Sequence, residues 1–167
     1  MKTLLLIRHA KSSWDSATLN DFDRPLNDRG KKDAPVMAKR LLDKKVQIDL
    51  IVSSPAKRAR KTAAIFAEEY GIKDKQIIYK EALYAAPAEV FETVIAQLED
   101  QFDHAALFSH NPGLTDFVNT LTTVRVDDLP TCSVFAIKVP VKKWKDFPGA
   151  DKEFWFFDYP KSGGNRL

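Results

Sequence analysis

At 167 residues, 44% hydrophobic and 29% charged, the chain has the size and balance of one globular domain with a real core, which excludes a disordered or low-complexity segment. No apolar run approaches the roughly 18 residues of a membrane helix, so no membrane partner is expected. The net charge of +3 and pI near 8.9 are mildly basic. The lysines of residues 30–45 are interrupted by Asp33 and Asp43, as on a solvated helix face, so nucleic acid is not an expected partner.

The chain opens MKTLLLIRHAKSS. Its apolar run, Leu4 to Ile7, ends at once in Arg8 and His9, too short for the core of an export signal, which needs about seven to fifteen residues. A continuous apolar run of this length fits a buried parallel strand, and residues 2–7 are read as the first strand. From Asn27, a candidate cap, Ala34, Met37, Ala38, Leu41 and Leu42 recur at helical spacing, predicting a helix bent near Pro35. Residues 50–52 form a short strand, and Pro55 then leads a helix that Gly71 closes.

The pattern repeats. Residues 76–79 read as a strand and residues 87–100 as a helix with Val90, Phe91, Val94, Ile95 and Leu98 on its inner face. Residues 105–108 are the next strand, with a helix from Gly113 through Leu121. Residues 133–139 and 154–159 are strands with no helix between them, so at least one antiparallel pairing is expected near the C-terminus. The connector 141–152 reads as a loop and residues 162–167 as a fraying tail. The expectation is one α/β domain over residues 1–167, with a mainly parallel sheet and helices on both faces.

In such a sheet the carboxyl ends of neighbouring strands open on one crevice. The first strand brings Arg8 and His9 there, the second Ser53, Ser54 and Pro55 with Arg58 and Arg60 in the following helical turns, and the fourth Ser109, His110 and Asn111. Guanidinium forks match phosphoryl oxygens with paired, charge-assisted hydrogen bonds. Nearby cations disfavour a protonated imidazole, leaving it nucleophilic toward phosphorus, and a second imidazole can donate to the oxygens as charge shifts. With three histidines, one cysteine and no pairs at ligand spacing, no metal is expected. Cys132, alone, forms no internal disulfide and fits a reducing cytoplasm.

The motifs RHA, DFDRPLNDRG, SSPAKRARKTA and FSHNPG, in this order between residue 4 and about residue 118, resemble the histidine phosphatase superfamily. The short chain and its RPL segment resemble the SixA-type phosphohistidine phosphatases within it. The resemblance implies a three-layer αβα, phosphoglycerate mutase-like fold without cofactor or metal. It implies that His9 is transiently phosphorylated, that Arg8 and Arg58 hold the phosphoryl oxygens, that His110 completes the pocket and that Arg24 lies near the phosphate, with Asn111 as a further phosphate-side residue. The implied partner is a phosphorylated protein or a small phosphorylated molecule.

Two departures stand out. The family's usual RHG is RHA here, and the Cβ of Ala10 is expected to alter the shape offered to substrate. Members that cleave phosphate esters carry a glutamate after the third strand and then a glycine-rich stretch; IIYKEALYAAPAEVF has no glycine, and Glu81 reads either as the acid or as a loop carboxylate. An alkoxide leaving group needs a positioned acid, whereas the imidazole of phosphohistidine leaves more readily, so this departure favours a phosphoramidate. A mutase would need lid insertions for which the gaps are short, and a non-catalytic phosphoprotein-binding module would not need both histidines. Arg60 reads as solvent-facing and His104 as a surface or capping residue at the far end of its strand. Trp14, Trp144, Trp155 and residues 154–159 read as core, with Trp14 alternatively at the site mouth.

Overall fold

The computed structural model describes residues 1–14 and 20–162. Its strands are β1 (Lys2–Arg8), β2 (Leu50–Ser53), β3 (Ile78–Tyr79), β4 (His104–Ser109), β5 (Val134–Val139) and β6 (Glu153–Asp158), in the order β3-β2-β4-β1-β5-β6. Pairing is parallel from β3 through β1 and antiparallel for β1 with β5 and β5 with β6, as the absence of a helix between the last two strands implied.

Strand alternation divides the apolar residues between two cores. Leu4, Leu6, Ala105 and Leu107 face one side with α3 (Ala88–Ala96) and α4 (Gly113–Val118). Leu5, Ile7, Ala106 and Phe108 face the other with α1 (Asp28–Asp43) and α2 (Lys57–Glu69). The result is a three-layer α/β fold. The Asn27 side chain accepts from Gly30 N at 2.8 Å and caps α1, which runs unbroken through Pro35. Gly71, at φ +70°, closes α2.

Four elements differ from the sequence reading. Residues 74–76 form a 3₁₀ turn, in which Gln76 Oε1 accepts from Lys73 N, leaving β3 only two residues. The helix expected to reach residue 100 stops at Ala96, and Asp100 is drawn into tertiary bonds: its Oδ1 accepts from Trp144 N at 2.8 Å and its carbonyl from Lys2 Nζ at 2.6 Å. The connector 141–152 holds a 3₁₀ turn at Trp144–Asp146, with Trp144 and Phe147 fully buried, so it is a core plug as well as a loop. Similarly, α4 ends at Val118, three residues early. Of the expected tail, Ser162 bonds Asp158, which Arg40 reaches at 3.0 Å, and residues 163–167 lie outside the described residues.

Two glycines set the approach of helices to the crevice. A Cβ on Gly30 would sit 2.1 Å from Lys11 O, and one on Gly113 would sit 1.8 Å from Ala86 O. The start of α1 therefore rests on the backbone just past His9, and the start of α4 on the loop opposite. Gly30→Ala and Gly113→Ala are each expected to cost about 1–3 kcal/mol in urea unfolding, while Gly149→Ala, with open space around it, stays within about 0.5 kcal/mol.

Candidate active site

The carboxyl ends of β1, β2 and β4 are tied to one another by backbone bonds. His9 N donates to Ser109 O at 3.2 Å, Ser54 N to Phe108 O at 3.0 Å, and Arg8 N to Ser133 O at 3.2 Å. Cys132, at φ +61°, directs its N–H to the carbonyls of both Arg8 and His9 at 3.0 Å. Ala10 N then donates to Thr62 Oγ1, and Thr62 Oγ1 to Arg58 O, joining the turn after His9 to the first turns of α2.

These ties gather His9, Arg58 and His110, each only 6% exposed, around a pocket of about 340 Å³. Arg8, Arg24, Trp14, Asp21, Tyr84 and Asn111 also line it. His9 Nδ1 lies 2.7 Å from Ala10 O, an acceptor, so this nitrogen carries the ring proton. The lone pair is left on Nε2, where it accepts from Arg58 Nε at 3.3 Å. The two imidazole centroids are 5.1 Å apart. His110 Nε2 lies 2.7 Å from Ser54 Oγ, which already accepts from Ala56 N. The buried serine hydroxyl has no other acceptor among the described residues, which gives its hydrogen to Nε2 and places the His110 proton on Nδ1. His110 Nδ1 and Arg8 Nε are buried with no partner among the described residues. Unmatched buried donors of this kind are costly and mark a place for acceptor oxygens.

Burial is the main cause that takes the His9 imidazole well below 6.5, and the nearby His110, Arg58 and Arg8 push it further against the opposing bond to Ala10 O. Burial likewise lowers His110 to about 3, with Arg58 the next cause. Both rings are therefore neutral at ordinary pH. Partial burial alone would raise the Asp21 carboxyl, but bonds from Tyr84 and Arg58 outweigh it and hold it at about 2.

The remaining sequence expectations separate. Arg24 reaches the pocket, its Nε donating to Ser13 O at 3.2 Å and its Nη2 to Ser12 Oγ. Asn111 borders the pocket, yet its amide is fully used: Nδ2 donates to Asp128 Oδ1 and Leu129 O, and Oδ1 accepts from Thr115 N and Oγ1. It braces the loop whose Leu129 carbonyl takes Arg8 Nη1 at 2.7 Å. Glu81 is exposed at the start of a 3₁₀ turn and is not among the residues that line the pocket, the position of a loop carboxylate. Arg60 is exposed and outside the pocket. His104 pairs with Thr3 at the other end of β4.

The methyl of Ala10 is buried in the core with α1 and α2 and does not face the pocket, so RHA changes packing and leaves the substrate cavity alone. Trp14 is 74% exposed, with the Arg24 guanidinium 3.3 Å from its ring centroid, so it belongs to the mouth and not the core; Trp155 is half-buried. Among the pocket residues that the sequence did not single out, two bear on its charge: Asp21, whose signal was its place three before Arg24, and Tyr84, which carried none.

The family model for the histidine phosphatase superfamily (branch 1) matches residues 4–113. The chain belongs to the histidine phosphatase superfamily. Among relatives, it is 28% identical over 153 residues to an uncharacterized chloroplastic protein of Arabidopsis thaliana, covering 87% of this chain and 70% of the relative. Shorter matches reach a 2,3-bisphosphoglycerate-dependent phosphoglycerate mutase of Bartonella tribocorum (34% identity; 49% of this chain, 41% of the relative) and phosphoserine phosphatase 1 of Hydrogenobacter thermophilus (39%; 47% and 38%). The chain thus spans about two fifths of the length of those two enzymes.

Among solved structures, the putative phosphohistidine phosphatase SixA from Agrobacterium tumefaciens superposes with a TM-score of 0.78 at 25% identity, over 95% of this chain and 98% of that one. A protein histidine phosphatase SixA complexed with tungstate gives 0.80 at 18% identity, over 96% and 98%. Arg8, His9, Arg58 and His110, which the sequence placed at the strand ends, are the residues that the geometry brings together here.

The neutral histidines also set an acid limit to stability. Unfolded, each takes a proton near 6.5, whereas folded His110 waits until about 3 and His9 until well below 6.5. The unfolded state therefore binds more protons below 6.5, and stability falls as pH drops through that window. Urea unfolding between about pH 7 and about pH 5 should show the decline, and His110→Asn should make it shallower.

Proposed function

We propose that the chain is a phosphohistidine phosphatase acting through a phospho-His9 intermediate. The observation carrying this reading is the pairing of a neutral His9, its lone pair on Nε2, with Arg8 and His110 on the same pocket, whose Nε and Nδ1 have no partner among the described residues. In the first step His9 Nε2 bonds to phosphorus as the bond to the substrate's imidazole nitrogen breaks. In the second, water attacks phosphorus, the bond to His9 breaks and inorganic phosphate leaves. Arg8, Arg24 and Arg58 hold the equatorial oxygens, and His110 Nδ1–H donates to the charge that builds on them.

What the pocket holds bears on the leaving group. Among the described residues its only carboxyl is Asp21, held at about 2 and therefore without a proton to give. The Tyr84 hydroxyl is raised, first by its hydrogen bond to Asp21, and its proton is engaged there. Such a site suits an imidazole, which leaves as a neutral ring once its other nitrogen carries a proton, better than it suits an alkoxide. The structural likeness to the SixA proteins supports the same reading. A cytoplasmic location is part of it, supported by the unpaired, buried Cys132 thiol.

The test compares initial rates on a phosphohistidine protein and on alkyl phosphates, without added metal. The phosphohistidine protein is expected to be dephosphorylated faster, and His9→Ala to lose at least about a thousandfold in rate. Rapid quenching in alkali should trap a label on His9 that acid then releases. Equal or faster turnover of the alkyl esters would assign the site to small phosphorylated metabolites, and an unchanged rate in His9→Ala would remove the mechanism altogether.

A further inference from the structure

Arg24 and Arg58 are already gripped by a carboxylate. Arg58 Nη2 lies 3.0 Å from Asp21 Oδ2 and its Nη1 2.6 Å from the Asp21 carbonyl, while Arg24 Nη1 lies 2.8 Å from Oδ1. Tyr84 Oη adds a third donor to Oδ2 at 2.6 Å. The last nitrogen of Arg58, Nε, rests on His9 Nε2, the nucleophilic position. Two guanidiniums and a phenol thus surround the Asp21 oxygens much as they would surround those of a phosphoryl group. Arg8 and His110 line the same pocket, and Arg8 Nε and His110 Nδ1 have no partner among the described residues.

The donors therefore fall into two sets, one without a bonded partner among the described residues and one occupied by an internal anion. Arg8 and His110 hold no carboxylate that a phosphoryl group would have to displace. To gain Arg58 and Arg24 it must displace Asp21, and the two anions repel each other within one small pocket. Asp21 can yield, because it sits half-exposed on a single 3₁₀ turn, Asp21–Asp23, at the solvent side of the arginines.

Resting on the phosphoryl-site reading above, we propose that Asp21 is an internal competitor for Arg24 and Arg58, a positioning residue that holds both guanidiniums between turnovers and retakes them to expel inorganic phosphate. The competition also selects substrates. Free phosphate and small monoesters have only their own oxygens with which to displace the carboxylate. A phosphoprotein adds contacts at the exposed mouth, where Trp14 lies, and these can offset the displacement.

The test is orthophosphate affinity, read by calorimetry and as product inhibition, for the parent, Asp21→Asn and Tyr84→Phe. Removing the charge in Asp21→Asn should tighten orthophosphate on the order of tenfold and lower KM and kcat together, because product is held longer. Tyr84→Phe, which loosens Asp21 without removing it, should shift both in the same direction by less. Orthophosphate bound equally or more weakly by a folded Asp21→Asn would show that Asp21 merely props the arginines, and would overturn the proposal. Should that variant not fold, no tightening in Tyr84→Phe does the same. A parent that binds neither orthophosphate nor tungstate and turns over no phosphate would instead overturn the phosphoryl-site reading.

Discussion

Two nearly buried imidazoles and the Arg58 guanidinium share one pocket with Arg8, and this concentration of potential positive charge constrains everything around it. A protein interior tolerates such a group only if some members give up their charge and the rest find anions. The histidines give theirs up: desolvation drives both rings neutral, and the arginines reinforce it. The arginines keep theirs, with Asp21 bonded to Arg58 and Asp128 favouring the charge of Arg8 against its own burial. Nucleophile and anion receptor are thus consequences of the same electrostatic balance.

Holding that balance requires a backbone that does not shift, and the sheet provides it. Arg8 pairs in register with Ser109 at the ends of β1 and β4, and Cys132 N–H closes on the carbonyls of Arg8 and His9 from the β5 side. The two glycines let α1 and α4 press onto the adjoining loops with no side chain between. Ala10 shows the consequence: its methyl is absorbed into the core, while its carbonyl fixes the proton on His9 Nδ1. One residue selects the tautomer and anchors the turn that carries it.

What was legible in the sequence followed physical periodicity. The apolar run of β1, the helical spacing of α1 and the strand-then-helix rhythm through residue 113 all describe burial, and burial is written in residue type. Residues at strand ends followed from topology, so Arg8, His9, Arg58 and His110 converged as expected. The misses share a different cause. Asp100 belongs to a helical pattern by composition but is used for Lys2 and Trp144, partners distant in sequence. Glu81 stood near the place of an acid, and its turn carries it out of the pocket, while Tyr84, three residues on, enters it. Asp21 drew no reading of its own because its importance lies wholly in its partners. Local pattern encodes which faces are buried; it does not encode which polar groups find each other.

The absence of a proton-bearing carboxyl and the presence of an ionised one have a common origin. A carboxyl placed to protonate a leaving group must be kept neutral, which takes burial away from cations. Asp21 is the opposite case, half-exposed and bonded to two guanidiniums and a phenol, so its proton is lost well below neutrality. An arginine-rich pocket that keeps its carboxylate this close has given up acid catalysis from that residue in favour of charge balance. On the proposed reading that exchange carries little penalty, because an imidazole departs without a proton delivered to the breaking bond, whereas an alkoxide does not. The same ion pairs that keep the arginines in place without substrate thus narrow the leaving groups the site can release.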